Sequence, residues 1–139
     1  MAEPRLDHVG LAVRDLEAAV AWYCTAFGYA DPLRFRVGPV DLDIVMLRHP
    51  SGFRLELLHR PGSGSIPHPA DPAAAAVETA YGHVAFDVPD LKATFEHLVG
   101  IGAISVMTPR PSPEPRVEMA FVADPEGNLI ELLSRNPEE

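Results

Sequence analysis

Two histidines and two glutamates recur in this 139-residue chain at one fixed offset. His8 precedes Glu56 by 48 residues, His83 precedes Glu131 by 48, and a shift of 75 residues carries the first pair onto the second. Their surroundings recur with them. Val9, Val13, Asp15 and Leu16 fall on Val84, Val88, Asp90 and Leu91, while Pro50, Gly52, Leu57 and Leu58 fall on Pro125, Gly127, Leu132 and Leu133. Self-similarity of this kind marks a tandem duplication. Two imidazoles and two carboxylates make a ligand set for a divalent transition metal. Mixed nitrogen and oxygen donors leave Zn, Ni, Co, Mn and Fe(II) open. In an octahedral field, four protein ligands leave two adjacent positions for water or for two substrate oxygens. The competing reading is a structural His–Glu pair duplicated with its module, since a lone strand histidine is more often structural than a ligand. The same pair at the same spacing in both copies favours the metal.

The elements that must position these residues are legible from periodicity. Residues 6–13 alternate, with His8, Gly10 and Ala12 on one face and Val9, Leu11 and Val13 on the other, which predicts a strand. Asp15 is placed to cap a helix from Leu16 to about Phe27, ended by Gly28. Strands are expected at Leu33–Val37, Leu42–Arg48 and Phe53–Leu58, with a Gly38-Pro39 turn and a four-residue hairpin at His49–Gly52. The second copy predicts a strand at Gly82–Val88, then a helix capped by Asp90 from Leu91 to about Ile101. Strands follow at Ile104–Met107, Val117–Ala123 and Asn128–Leu133, with a hairpin at Asp124–Gly127. Between Met107 and Val117, residues 108–116 carry four prolines and read as a stiff extended loop. The chain thus divides into a module at 5–60, a Pro-, Gly- and Ala-rich linker at 61–79 with a helical turn at its alanines, and a module at 80–135. The polar tail 135–139 is expected to fray.

Parity places the chemistry. His8 shares its face with small Gly10 and Ala12, and His83 shares its face with Ala85, while the larger apolar residues turn the other way under a helix. Glu56 and Glu131 each sit between two apolar residues, where a buried carboxylate needs a partner or a metal. Simple pairing of four-residue hairpins puts Val45 opposite Glu56 and Ala120 opposite Glu131. Leu47, Val122, Asp43 and Glu118 then share those faces. Asp43 and Glu118 read chiefly as surface acids, Trp22 and Tyr23 as helix packing, and Cys24 as a small buried residue without a base beside it. His59 and His68 are expected to be ordinary loop histidines. Arg110 and Arg116 sit in the Pro-rich loop, which reads equally as a cover over the site, where they meet an anionic substrate, and as a plain surface loop.

Composition bounds the partners. The chain is 47% hydrophobic and carries a net charge of −9, which argues against a nucleic-acid partner. Ten of its eleven basic residues are Arg, Lys92 being the exception. A single cysteine, Cys24, excludes an internal disulfide and suits a reducing compartment. No apolar run has the length of a bilayer span, and residues 1–5 lack the pattern of a signal peptide, so a cytoplasmic location is expected.

The stretches Asp7–Leu16 with Trp22-Tyr23 and Phe27-Gly28, Gly82–Leu91, and Asp124–Leu132 resemble the vicinal oxygen chelate superfamily, which holds glyoxalase I, bleomycin-resistance proteins, extradiol dioxygenases and methylmalonyl-CoA epimerase. The resemblance covers nearly the whole chain outside the linker and termini. It implies an α+β fold: two tandem βαβββ modules forming a curved, open barrel-like sheet with helices on the outside, one glyoxalase-like domain over 1–139. It further implies a metal held at the positions of His8, Glu56, His83 and Glu131, a small-molecule substrate, no membrane partner and a homodimer. Retention of all four ligands resembles the lyases and epimerases more than the two-His, one-Glu dioxygenases or the bleomycin-binding members that lack the ligands. The 27-residue step from Glu56 to His83 is more similar to the epimerases. The chemistry so implied is a metal-dependent lyase or isomerase/epimerase that chelates an oxygen-bearing substrate and stabilises an enolate during proton transfer. Glu131 or Glu56 is its base. The alternatives are an Fe(II)-dependent dioxygenase and a non-catalytic antibiotic- or metabolite-binding protein.

Overall fold

A computed structural model of the chain describes residues 3–64 and 66–135. It separates into two compact units, Met1–Ser65 and Ile66–Glu139. Each is a βαβββ module of α+β type. The tail residues 136–139, expected to fray, lie outside the described residues.

In the first unit, β1 (His8–Ala12) leads into α1 (Leu16–Phe27), and β2 (Ala30–Val37), β3 (Leu42–Arg48) and β4 (Arg54–His59) follow. The helix starts and stops where its side chains dictate. Asp15 Oδ1 accepts a hydrogen bond from the Ala18 N–H at 3.0 Å, and Gly28 takes the left-handed conformation (φ 73°) that closes the last turn. The strands order as β1-β4-β3-β2, with β1 parallel to β4 and the other pairs antiparallel. Helix α1 lies against β3 and β4. Its Ala19, Val20 and Tyr23 are buried, as are Val45, Leu47, Leu55 and Leu57 on one face of the sheet. Each such Val or Leu contributes roughly 1.5–3 kcal/mol by leaving water. Val9 shares that parity yet stays 40% exposed, because β1 is an edge strand beyond the reach of the helix.

In the second unit, the short helix α2 (Pro72–Ala75) is the helical turn expected at the alanines, capped by Asp71. Then come β5 (Val84–Asp87), α3 (Leu91–Gly100), β6 (Ile104–Pro111), β7 (Glu118–Ala123) and β8 (Leu129–Ser134). The order β5-β8-β7-β6 repeats the first sheet, and α3 packs on β6, β7 and β8 through buried Leu91, Phe95 and Leu98. Asp90 caps α3 as Asp15 caps α1.

Two expectations are corrected here. The Pro-rich stretch is not wholly a loop, because β6 runs on through Pro109 to Pro111. It can do so as an edge strand with register shifts on either side of Met107, where a missing N–H breaks no inner ladder. Likewise, β2 begins at Ala30 rather than after Asp31-Pro32. Asp31 takes a positive φ of 49°, and the register slips between Ala30 and Leu33.

Candidate functional site

The hairpin register decides which residues share a face with the glutamates. Arg48 pairs with Arg54 and Ala123 with Leu129, so five residues lie between the strands rather than four. Met46 is therefore the cross-strand partner of Glu56, and Phe121 the partner of Glu131. This overturns the expected Val45 and Ala120. A one-residue slip turns every side chain to the other face, so Val45, Leu47, Ala120 and Val122 belong to the buried faces under the helices. Asp43 and Glu118 leave the glutamate face with them. Asp43 pairs with Arg36 at 2.8 Å, and Glu118 is exposed.

The loops that set this register are built differently in the two copies. Position 49 is His and its equivalent 124 is Asp. The His49 Nε2–H donates to the Phe27 carbonyl at 2.8 Å, while Nδ1 accepts from the Ser51 N–H at 3.1 Å. Asp124, buried, accepts from the Glu126 and Asn128 N–H groups, each at 2.9 Å, and from the Asn128 side-chain amide. Gly52 (φ 102°) and Gly127 (φ 96°) turn both loops through a conformation open to glycine.

On the face away from the helix, β1 brings His8 to Glu56. Gly10 is the direct partner of Glu56, and a Cβ there would lie 3.4 Å from the Glu56 Oε1. That is ordinary contact, and Ala85 fills the equivalent position in the second module, so a small residue suffices beside the carboxylate. His8 Nε2 stands 3.8 Å from Glu56 Oε1. The other ring nitrogen is held: Nδ1–H donates to Asp7 Oδ2 at 2.8 Å. That bond fixes the tautomer, leaves the Nε2 lone pair facing the glutamate, and draws the Asp7 pKa below its ordinary value.

In the second module Ala85 is the partner of Glu131, and His83 Nε2 stands 3.9 Å from Glu131 Oε1. Gly82 occupies the place of Asp7, so no equivalent carboxylate holds the ring. The imidazole instead meets Phe121 edge-on, with centroids 5.2 Å apart. Both carboxylates are more enclosed than their histidines: side-chain exposure is 20% for Glu56 and 18% for Glu131, against 36% for each imidazole. Burial raises the Glu131 pKa, opposed in part by the charge of His83.

These separations are too long for hydrogen bonds, yet they suit a shared ion. Two donors each about 2.1 Å from one metal stand at most about 4.2 Å apart, and both His–Glu pairs fall inside that limit. Among the described residues the structure gathers the four as two pairs, and no three His, Cys, Asp or Glu side chains form a single ligand cluster. The other candidates are bound into structure. His59 Nδ1–H donates to the Val13 carbonyl at 2.9 Å, and Arg110 folds back onto Thr108. His68 packs against Gly127, and Cys24 is half-buried with its thiol pKa raised by desolvation. Asp7, Met46 and Phe121 are the residues beside the site that sequence reasoning missed. Asp7 adjoins a candidate ligand and was legible as an orienting carboxylate, whereas Met46 and Phe121 needed the register.

Comparison with known proteins agrees with this architecture. Residues 5–132 match the Glyoxalase/Bleomycin resistance protein/Dioxygenase superfamily, and the chain belongs to that family. It is 26% identical over 136 residues to a probable lactoylglutathione lyase of Vibrio cholerae, covering 96% of this chain and 92% of that one. It is similar to glyoxalase I of Leishmania major, described as trypanothione-dependent (28% identity, TM-score 0.70, 96% of this chain and 88% of the other). It also resembles glyoxalase I from Zea mays (25% identity, TM-score 0.74), covering 95% of this chain but only 45% of the maize protein. The chain thus spans less than half of that plant enzyme. Among the described residues, no helix is long and apolar enough to cross a membrane.

Proposed function

We propose that the protein is a metal-dependent lyase or isomerase of the glyoxalase type, with His8, Glu56, His83 and Glu131 as metal ligands. The observation that supports this most is the recurrence of a facing imidazole and carboxylate, at 3.8 Å and 3.9 Å, on the equivalent face of both modules. The family and the lactoylglutathione lyase relative support an enzyme acting on a small oxygen-bearing compound, and the same resemblance supports a homodimer.

A divalent ion held here would supply Lewis acidity to a carbonyl oxygen and its neighbouring oxygen, stabilising charge as an α-proton leaves. The chain's own residues do the rest. His8 offers Nε2 because Asp7 holds Nδ1–H. Glu131 or Glu56 accepts the α-proton and returns it to the neighbouring carbon or to the opposite face. Phe121 and Met46, the cross-strand partners of the two glutamates, give that carboxylate an apolar neighbour. Such a wall around a polar centre is a common design for small-ligand sites.

The test is proton exchange. Metal-loaded protein is incubated in heavy water with S-lactoylglutathione, the compound indicated by the relative's name, and with an epimerisable 2-methyl-3-oxo thioester. Loss of the α-proton signal from either substrate, abolished in Glu131→Gln or Glu56→Gln, is the expected result. Exchange that persists undiminished in both variants contradicts the base assignment.

A further inference from the structure

We propose that Arg48 and Arg54 form a subsite for an anionic group of the substrate, beside His8 and Glu56. The inference rests on the reading of those residues as a metal site and names the class of molecule that site takes. Arg54 is the cross-strand partner of both His8 on β1 and Arg48 on β3. All three therefore share the face that carries Glu56, with the arginines one rung along the sheet, about 7 Å from the glutamate backbone.

Both guanidinium groups belong to exposed residues, and neither makes a hydrogen bond or ion pair among the described residues. Arg54 is felt by Asp7 only through its charge, and Asp7 is already taken by His8. On the opposite face of the same sheet the arginines are answered: Arg34 pairs with Glu17, and Arg36 pairs with Asp41 and Asp43. Like charges directly opposite across two strands repel each other, so an unanswered Arg48–Arg54 pair is set up to receive an anion. Guanidinium forks match carboxylate or phosphate oxygens in pairs.

The duplication sharpens the point. The 75-residue shift that carries His8 and Glu56 onto His83 and Glu131 carries Arg48 and Arg54 onto Ala123 and Leu129, both buried. The ligands are common to both copies and the cations belong to one. The subsite thus gives the first module's half a polarity, with chelating oxygens at His8 and Glu56 and a carboxylate or phosphate a few atoms away.

The experiment uses the whole chain as wild type, Arg48→Gln/Arg54→Gln and Arg48→Lys/Arg54→Lys, each analysed for bound metal. Metal-loaded protein is titrated with dihydroxyacetone and with dihydroxyacetone phosphate, and chelator-treated protein with inorganic phosphate and with acetate. Wild type is expected to bind the phosphorylated triose at least about tenfold more tightly than the neutral one. The glutamine variant loses that preference while keeping its affinity for dihydroxyacetone, and the lysine variant keeps part of it. The chelator-treated arms tell phosphate from carboxylate by which of the two depends on the arginines. A preference that survives in the glutamine variant, or is absent in wild type with no arginine-dependent acetate binding, overturns the proposal. Arginine-dependent phosphate binding by a chain that takes up no metal upholds the subsite and contradicts the metal site. Metal uptake without arginine-dependent anion binding does the reverse.

Discussion

His8 Nε2 faces Glu56 Oε1 across 3.8 Å, beside a glycine at which a Cβ would lie 3.4 Å from that oxygen. The glycine is Gly10, the direct partner of Glu56 on the neighbouring strand. A Cβ at Gly10 meets Glu56 Oε1 at 3.4 Å, an ordinary contact, and the second module already carries Ala85 in this position. Gly10→Ala is therefore expected to leave metal affinity within about twofold, whereas the branched side chain of Gly10→Val displaces the carboxylate and lowers affinity at least about tenfold. Competition with a calibrated chelator measures both, and equal affinities in the two variants would contradict the placement of Glu56.

Asp7 acts through His8. Removing it in Asp7→Ala frees the imidazole to rotate and exchange tautomers, with an expected loss of metal affinity of about tenfold. Asp7→Asn still accepts from Nδ1–H and should lose less. The equivalent Gly82 offers no such handle, so the two modules respond unequally to changes beside their histidines. Chelator competition on the two Asp7 variants, with the His8 ring signals followed by NMR, checks both effects.

Tyr29 gives a pH signature of the first module's packing. It lies among Tyr23, His49 and Phe53, and burial pushes its phenol up to about 12. Because the folded value is raised above the ordinary value of 10.0, its contribution to stability is complete below pH 10. It is lost as pH rises from there to about 12. Urea unfolding across that window should show stability falling more steeply in wild type than in Tyr29→Phe. Parallel slopes would contradict the burial.

Gly127 holds the turn before the strand of Glu131. Its φ of 96° and the 2.9 Å from a built Cβ to His68 Cδ2 both oppose a side chain. Gly127→Ala should cost roughly 1–3 kcal/mol. Adding His68→Ala should recover the steric part and leave the backbone part. A double-mutant cycle by chemical unfolding separates the two.

Much of this was legible before any coordinates. Caps at Asp15 and Asp90, the glycine ending α1 and the alternation of β1 and β5 set the modules, because each is a local signal with a local cause. The facing of His8 to Glu56 followed from parity on single strands. What failed was register. Whether a hairpin spans four residues or five depends on how His49 and Asp124 tie their loops, a bond pattern that composition does not reveal. One residue of error put Val45 and Ala120 where Met46 and Phe121 stand. The reach of β6 through two prolines was hidden for a related reason, since an edge position becomes known only once the sheet order is known.

If the two His–Glu pairs hold a metal, the metal content of the purified protein shows it. Protein purified without added metal is analysed beside His8→Ala and His83→Ala. About one divalent transition ion per chain is expected in the wild type, falling to a small fraction in either variant. Protein that carries no metal and takes up none from Ni, Co, Zn, Mn or Fe(II), or that keeps its metal in both variants, would contradict the metal assignment.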